Sequence, residues 1–237
     1  MRRLWKWLAL GVVVVVGLAV GAYFLFLKSD PEPRAAIKET PIVTTTTVAG
    51  EQPASTGSAL DGTWTVNPGN TANFVGYRVT EKLFANISET EATGRTDNVT
   101  ASMTIDGTTV KDVTVTADLR DLQSDNSFRD GRIRSEGLES DEFPEAKFVL
   151  SEPITLSAVP AAGDTVKTEA TGDFTLHGVT TKVTISLEGR WDGKQVQVVG
   201  NLPIVFSDYG ITAPTAPAVA SVDDHGEMEL QLFFDKS

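Results

Sequence analysis

Apolar and polar residues alternate along the chain from about residue 60 to its end. The alternation is clearest in four stretches, whose apolar members are Ala101, Met103 and Ile105; Val113, Val115, Ala117 and Leu119; Val183, Ile185 and Leu187; and Met228, Leu230, Leu232 and Phe234. Because successive side chains of a strand point to opposite faces, this period predicts strands with one buried and one solvated face. No window of this region sustains a helical period, and the best helical candidate is the charged stretch from Ser127 to Glu142.

Short turn signals separate the alternating stretches. They are Asn67-Pro68-Gly69-Asn70, Asp106-Gly107, Asp192-Gly193 and Asp208-Tyr209-Gly210. Strands joined by short turns, without the spacing of βαβ units, favour an antiparallel sandwich or a closed barrel. Residues 60–237 are too many for a minimal immunoglobulin-type sandwich and enough for a barrel of about eight strands. The predicted fold of this region is therefore an all-β antiparallel barrel with a short helical insertion.

A different pattern occupies residues 8–27, which contain no charged residue. About 20 apolar residues are needed to span the ~30 Å hydrocarbon core of a bilayer, and basic residues, such as those within residues 1–7, favour the cytoplasmic side. We therefore expect a cytoplasmic N-terminus, a single-pass transmembrane anchor at residues 8–27 and an extracytoplasmic C-terminal domain. The alternative is a signal peptide cleaved before Tyr23, although this apolar stretch is longer than a typical signal core.

The next segment, residues 28–59, changes character again. It contains Pro31, Pro33, Pro41 and Pro53 among many threonines and serines. Such a composition buries too little apolar surface to offset the loss of chain entropy on folding. We therefore predict a disordered linker between the anchor and the barrel domain at residues 60–237.

Composition and charge exclude several classes of function. The chain has no cysteine, two histidines and a net charge of −12, and residues 60–237 carry 14 Lys or Arg against 28 Asp or Glu, a balance of 14 − 28 = −14. The lack of cysteine excludes a disulfide scaffold, a thiol nucleophile and a cysteine metal site. So acidic a domain repels phosphate backbones, so we expect no nucleic-acid partner. No sequence feature predicts a cofactor or a metal site.

Four motifs follow one another along the barrel domain. They are Phe128-Arg129-Asp130-Gly131-Arg132-Ile133-Arg134-Ser135, Glu142-Phe143-Pro144-Glu145-Ala146-Lys147-Phe148, Ala170-Thr171-Gly172-Asp173-Phe174-Thr175-Leu176-His177-Gly178-Val179-Thr180, and Asp208-Tyr209-Gly210-Ile211. In this order and spacing they resemble the YceI-like family, over about residues 62–235. The resemblance implies an elongated barrel of lipocalin type, with an apolar pore that holds a polyisoprenoid or another long-chain amphiphile.

The chain departs from the family pattern at two places. Thr80-Glu81 stands where the family's early strand reaches a histidine, and Ser207 stands where an arginine precedes the last motif. If those positions touch a ligand head group in the family, this chain binds a different head group or none.

Aromatic residues are spread over nearly every predicted strand and the helical stretch. They would fill the core of a sandwich or line the pore of a barrel, and alternation alone does not separate these arrangements. The family resemblance favours the pore. The candidate ligand-binding residues are Phe74, Phe84, Phe128, Arg129, Phe143, Phe148, Phe174, His177, Trp191 and Phe206.

Two of these candidates have a structural alternative. Arg129 with Asp130 would either anchor a polar head group or fix a loop through an ion pair. His177 precedes a glycine at a predicted hairpin tip, where a histidine usually bonds backbone across the turn.

The sequence leaves three functions to compare. The first is a membrane-tethered binding protein for a long-chain lipid, and the second is an envelope stress or protein-interaction module whose barrel is filled by its own side chains. The third, an envelope hydrolase, lacks a nucleophile motif, so we expect no enzyme. The oligomeric state is left open, a homodimer included.

Overall fold

The computed structural model describes residues 13–14, 30–38, 58–83, 88–214 and 219–237, and antiparallel strands form its framework. The strands are β1 (Gly62–Val66), β2 (Phe74–Leu83), β3 (Ser88–Thr96), β4 (Val99–Asp106), β5 (Thr109–Asp118), β6 (Gln123–Ser124), β7 (Glu145–Leu150), β8 (Ile154–Thr155), β9 (Thr165–Leu176), β10 (Val179–Trp191), β11 (Gln195–Val205), β12 (Val219–Val222) and β13 (His225–Lys236). Helix α1 (Ser127–Arg132) lies between β6 and β7.

The long strands close into a barrel. β1 and β2 both pair with β13, along the same edge and one after the other. On their other side, β1 pairs with β4 and β2 pairs with β3. The barrel therefore has eight strand positions, in the order β1/β2, β3/β4, β5, β7, β9, β10, β11 and β13. It closes where β13 pairs with β1 and β2. Closure pairs both edges of β9, β10, β11 and β13, whereas β3 pairs beyond β2 only with the short strand β6.

The alternating stretches supply the inner face of this barrel, as predicted. They lie on β4, β5, β10 and β13, and their buried members, such as Met103, Ile185 and Leu232, belong to one apolar cluster. Leu119 is buried as well, but it begins a 3₁₀ turn (Leu119–Asp121) that follows β5. The period of two was therefore a reliable guide to which residues face inward.

The predicted turn signals lie between strands. Asp106-Gly107 joins β4 to β5, and Asp192-Gly193 lies between β10 and β11. The β9–β10 hairpin has a two-residue loop, His177-Gly178, in which both residues have positive φ (51° and 72°). This is the geometry of a type I′ turn, whose twist matches that of the flanking strands.

The predicted helical stretch forms a shorter helix than its length suggested. Asn126 caps α1 by accepting hydrogen bonds from the backbone N–H groups of Phe128 and Arg129. The helix passes at Arg132 into a π-helical turn, Ile133–Gly137. Glycines within and after α1 disfavour a longer α-helix.

An extended segment, residues 30–38, lies on the outer surface of the barrel, and we call it the strap. Glu32 N–H donates to Thr93 Oγ1 (3.0 Å), and its carbonyl oxygen accepts from Arg78 Nη2 (2.7 Å). Further along, Gln197 donates through Nε2 to the Ala36 carbonyl (2.9 Å) and accepts from Lys38 N–H (2.9 Å). The strap therefore crosses β2, β3 and β11 from outside.

Beneath the strap lies a buried ion pair. Arg78 donates to Glu229 through Nε at 2.5 Å, and their side chains are 4% and 5% exposed. Arg78 also pairs with Glu91 (2.8 Å). Buried charges are tolerated when they are paired and hydrogen-bonded, and the backbone carbonyl of Glu32 completes the partners of this guanidinium.

Among the described residues, no helix has the length and apolar character needed to cross a membrane. Most of the predicted anchor at residues 8–27 lies outside the described residues, as does most of the predicted linker at residues 28–59. Both remain predictions. Within the linker, the contacts of the strap with the barrel are a feature that composition did not anticipate.

Candidate functional site

Two cavities lie end to end along the inner face of the barrel. The first, which we call the apolar cavity, has a volume of about 170 Å³ and is walled by aliphatic and aromatic side chains such as Phe148, Phe174 and Trp191. The second, which we call the capped cavity, has a volume of about 110 Å³ and lies beneath α1, with Tyr77 and Arg129 in its wall.

The boundary between the cavities is a single cross-strand row. Tyr77 pairs with Met228, and Met228 pairs with Leu202, so the three side chains point inward side by side. Val75 and Tyr77 are successive inward positions of β2. Val75 faces the apolar cavity, whereas Tyr77 faces the capped cavity. Met228 lines both cavities. Its unbranched, flexible side chain suits a boundary that must adapt to what occupies either side.

Phe148 and Phe174, on the neighbouring strands β7 and β9, form one wall of the apolar cavity. They are directly paired and are each 6% exposed. Gly172 makes room for the Phe148 ring, since a Cβ at position 172 would lie 2.5 Å from Phe148 Cζ. Both phenylalanines therefore occupy the interior positions that the sequence predicted.

Trp191 lies at the end of β10 and also lines the apolar cavity. Its indole Nε1 is buried and has no hydrogen-bond partner in the described part of the chain. Asp164, Thr168, Arg190 and Glu229 also border this cavity, but aliphatic and aromatic side chains make up most of its wall. The cavity therefore favours hydrocarbon, and each methylene group moved into it from water contributes about 0.8 kcal/mol.

Helix α1 places a charged side chain over the capped cavity. Arg129 donates to Asp125 (2.6 Å) and, across the end of the barrel, to Glu81 on β2 (3.4 Å). Glu81 is only 7% exposed. Burial by itself would lower the pKa of Arg129, but the facing carboxylates raise that pKa above its ordinary value. Arg129 therefore stays charged and fixes α1 against the barrel.

Asp130 has a separate structural role. Its carboxylate accepts from the backbone N–H of Ser124 (3.0 Å) and from the Ser124 hydroxyl. The loop-fixing alternative for Arg129 and Asp130 is thus present in the structure. The two residues act on different partners, and not as a pair with each other.

Two residues that line the capped cavity each have a buried donor without a partner in the described part of the chain. Tyr77 Oη and Arg132 Nε are buried and make no hydrogen bond within the described chain. The Tyr77 ring packs over Gly94, where a Cβ would lie 2.4 Å from Tyr77 Cε1. Burial raises the pKa of the Tyr77 phenol well above its ordinary value of about 10, so the hydroxyl keeps its proton. Buried donors without partners are uncommon, because each costs free energy.

The remaining predicted residues divide between the capped cavity and sites elsewhere. Phe128, which is 44% exposed, and Phe206 both line the capped cavity. Phe143 packs edge-on against His177, with ring centroids 4.5 Å apart, away from both cavities. Phe84 lies outside the described residues.

Phe74 lies on the outside of the barrel, and not in the pore where the sequence placed it. Val75 and Tyr77 face inward, so strand alternation turns Phe74 outward, where the Arg95 guanidinium stacks 3.8 Å from its ring centroid. The expectation of a pore-lining position is corrected accordingly.

His177 holds together the turns at one end of the barrel. Its Nδ1 lies 2.9 Å from the Tyr209 carbonyl oxygen, and its Nε2 lies 2.9 Å from Glu139 Oε2. The structural alternative was a bond to backbone across the hairpin turn of His177 itself. The ring instead contacts a backbone carbonyl of another turn and a carboxylate. Neither cavity includes this ring among its lining residues.

Sequence reasoning missed most members of the capped cavity, among them Tyr77, Arg132 and Met228. The sequence contains a signal for Tyr77, since it lies two positions after Val75 on β2 and therefore points to the same, inward face. Arg132 carried one as well, because a residue three positions after Arg129 lies on nearly the same helix face. Among the described residues, no group of three or more His, Asp or Glu side chains is arranged to hold a metal ion.

The barrel domain is similar in sequence to a known protein family and to several curated proteins. The sequence profile of the YceI-like domain matches residues 64–234. A UPF0312 protein of Shewanella denitrificans is 33% identical over 138 residues, which cover 54% of this chain and 69% of that protein. A UPF0312 protein of Vibrio vulnificus is 30% identical over 122 residues, or 48% of this chain and 61% of that protein.

Solved structures share the fold. A polyisoprenoid binding domain from Saccharophagus degradans, implicated in plant cell wall breakdown, matches with a TM-score of 0.56 and 17% identity, over 73% of this chain and 98% of that domain. BcnA of Burkholderia cenocepacia matches with a TM-score of 0.54 and 19% identity, over 71% of this chain and 98% of that protein. At these identities the likeness concerns the fold alone.

Proposed function

Because the chain belongs to the YceI-like family, we propose that it is a binding protein whose barrel holds a polyisoprenoid or another long-chain amphiphilic lipid. The observation that carries this proposal is the apolar cavity, a largely hydrocarbon-lined space along the inner face of the barrel. A structural relative from Saccharophagus degradans is described as a polyisoprenoid binding domain, which supports the same ligand class.

The two cavities suit the two ends of an amphiphile. The carbon chain enters the apolar cavity and is shielded from water there, while the head group lies in the capped cavity beside Arg129 and Glu81. Binding is driven by hydrocarbon burial, and the ordering of ligand and protein opposes it. This mechanism moves no proton and breaks no bond, so we propose a carrier or sequestering protein and not an enzyme.

We also propose that the protein acts at a membrane. Residues 8–27 would form a single-pass anchor, with the barrel exported to the extracytoplasmic side. The sequence of residues 1–27 supports this arrangement.

The binding proposal is tested by extracting purified full-length protein with organic solvent and identifying the extract by mass spectrometry. We expect about one long-chain lipid per chain. Ala170→Phe, which fills the apolar cavity from a residue that is 2% exposed, should lower that occupancy at least tenfold.

The matched control is Thr171→Phe, the next residue of β9, whose side chain points outward and bonds Thr184. It should leave the lipid content unchanged. Protein that yields no lipid from its native membrane and fails to bind added squalene would contradict the proposal and favour a barrel without a ligand.

A further inference from the structure

We propose that the end of the barrel covered by α1, which we call the α1 end, docks on the surface of the bilayer that holds residues 8–27, with Phe128 as the inserting side chain. Docking of this kind rests on the membrane anchor of the proposed function and adds a contact surface to it. Three features of the α1 end support it: an exposed aromatic side chain, a scarcity of charge around that side chain, and the position of the strap.

Phe128 is the most exposed of the aromatic residues that the structure describes, at 44%. It lies in the first turn of α1 and also lines the capped cavity, so its ring is at the mouth of that cavity, between the interior and solvent. Aromatic and aliphatic side chains on the outer face of a helix can bury themselves at the boundary between lipid head groups and acyl chains.

The exposed residues next to Phe128 suit a lipid surface. On α1 and the turn that follows it, Ser127, Gly131 and Ser135 are exposed and uncharged, and Arg134 is exposed and basic. The hydrogen bond of Arg134 is made to a backbone carbonyl, that of Arg120 (2.8 Å). No carboxylate within the described part of the chain forms a salt bridge with Arg134, so its positive charge is available to a lipid phosphate.

Two carboxylates close to this surface are held in ion pairs. Glu136 pairs with Arg132, and Asp125 pairs with Arg129, at 2.6 Å in each case. Pairing weakens the repulsion that these carboxylates would otherwise exert on lipid phosphates.

A loop beside α1 extends the uncharged surface. Residues 211–214 and 219–222 contain no charged side chain. Pro214 packs against the turn after α1, since a Cβ at Gly137 would lie 3.3 Å from Pro214 Cδ. Pro214 and Val219 also line the capped cavity. In so acidic a domain, an uncharged region of this kind approaches a membrane at a lower electrostatic cost than the surrounding surface.

The opposite end of the barrel exposes a comparable surface, so exposure alone does not select the α1 end. Val159 is 43% exposed, in the loop between β8 and β9. Its neighbours in residues 156–163 are uncharged as well. A choice between the two ends therefore needs a separate observation.

The strap provides that observation. Its Asp30 N–H donates to Asp125, directly before α1, and its Lys38 N–H donates to Gln197 near the start of β11, toward the opposite end of the barrel. Residues 8–27 precede the strap in sequence, so the chain that leads to the predicted anchor leaves the barrel at the α1 end. The Val159 loop then lies at the end far from the bilayer.

The experiment places one fluorophore at either end of the barrel, which the absence of cysteine from the chain allows. Ser127→Cys lies beside Phe128, and Ser157→Cys is its match beside Val159, since both serines are exposed. Full-length protein with a nitrobenzoxadiazole label at either cysteine is reconstituted into phosphatidylcholine vesicles, with or without nitroxide-labelled lipid. We expect the nitroxide to quench more than about half of the emission at position 127 and less than about a tenth at position 157.

A second substitution tests the inserting side chain. Phe128→Asp in the protein labelled at position 127 should remove at least about half of the quenching, because a carboxylate does not enter the apolar part of the interface. Val159→Asp in the same protein is the control and should leave the quenching unchanged. Circular dichroism checks that both variants are folded.

Flotation of the vesicles separates a failure of docking from a failure of the anchor. If the protein floats with the vesicles, then quenching of neither label, equal quenching of both, or stronger quenching at position 157 would overturn docking by the α1 end. Unchanged quenching in Phe128→Asp would overturn the role of Phe128. Protein that does not float with the vesicles would overturn the membrane anchor, and the docking that rests on it.

Discussion

The apolar cavity and the capped cavity are built from the same strands and yet differ in chemistry. Consecutive inward positions, such as Leu202 and Ile204 on β11, line different cavities. The difference comes mainly from the elements that cover each end. Helix α1 adds Arg129 and Arg132 to the capped cavity, whereas sheet residues wall most of the apolar cavity. One alternating face can therefore serve two ends of a ligand, and the covering element decides which end is polar.

The difference in polarity between the two cavities also decides where a buried charge is tolerated. In the capped cavity Glu81 is buried, but a guanidinium faces it. Phe174, by contrast, contacts another ring: it meets Tyr209 edge-on, with centroids 5.8 Å apart, and its cross-strand neighbour is Phe148. The predictions below test this contrast, beginning with the largest expected effect.

The same substitution should be severe in one cavity and mild in the other. Phe174→Glu places a carboxylate in the apolar wall, at a residue that is 6% exposed, and should lower the free energy of unfolding by at least about 4 kcal/mol. Phe128→Glu, at a residue that is 44% exposed, should change it by less than about 1 kcal/mol. Urea denaturation followed by circular dichroism measures both. Equal losses would show that the two cavities do not differ in polarity.

Removal of the guanidinium should expose the dependence of the capped cavity on its ion pairs. Arg129→Met leaves Glu81 buried without a partner and should lower the free energy of unfolding by about 3 kcal/mol. Arg134→Met, at an exposed arginine that follows the same helix, serves as the control and should cost less than about 0.5 kcal/mol. A loss below 1 kcal/mol for Arg129→Met would mean that water reaches Glu81 freely.

The buried phenol should make stability fall at alkaline pH. The pKa of Tyr77 is raised in the folded protein, whereas it is about 10 in the unfolded chain, so above about pH 10 the unfolded state releases a proton that the folded state keeps. Between pH 8 and about pH 10.5, this group should cost about 0.8 kcal/mol of stability. Tyr77→Phe should therefore lose that much less than wild type over the same range. Identical pH profiles for the two proteins would place the hydroxyl in contact with water.

The boundary row should tolerate a change that conserves its volume. Met228→Leu replaces one flexible apolar side chain by another of similar size, and we expect less than about 1 kcal/mol of destabilisation in urea. A loss above 2 kcal/mol would instead show that Met228 is tightly packed and forms a rigid partition between the two cavities.

The strand pattern predicted the apolar cavity better than it predicted the capped one. Phe148 and Phe174 alternate with polar neighbours, so their inward direction follows from local sequence. On β2 this signal fails, because Phe74 and Val75 are both apolar and both buried. On the outer face, Phe74 is covered by the Arg95 guanidinium, which also bonds the strap at the Pro33 carbonyl. Burial on both faces removes the alternation on which the prediction depends.

The polar wall depends on contacts that are distant in sequence. Arg129 and Glu81 are separated by 48 positions, and their meeting requires both the docking of α1 and the register of β2. A charged residue in an inward position of β2 indicates that a partner exists, but sequence spacing does not identify it. The sequence therefore suggested Arg129 and missed Tyr77 and Arg132.

In a membrane-anchored protein the strap would also limit the distance between the barrel and the bilayer. Asp30 N–H donates to Asp125, the same carboxylate that pairs with Arg129 at the capped cavity. In a protein anchored by residues 8–27, only residues 28 and 29 would separate the anchor from the strap, and three Cα–Cα steps span no more than roughly 10 Å. Residues 39–57 would not act as a spacer, because they follow the docked strap. The capped cavity would therefore stay beside the bilayer surface, and exchange of a lipid with that surface would be an intramolecular step at high effective concentration and not a diffusional search.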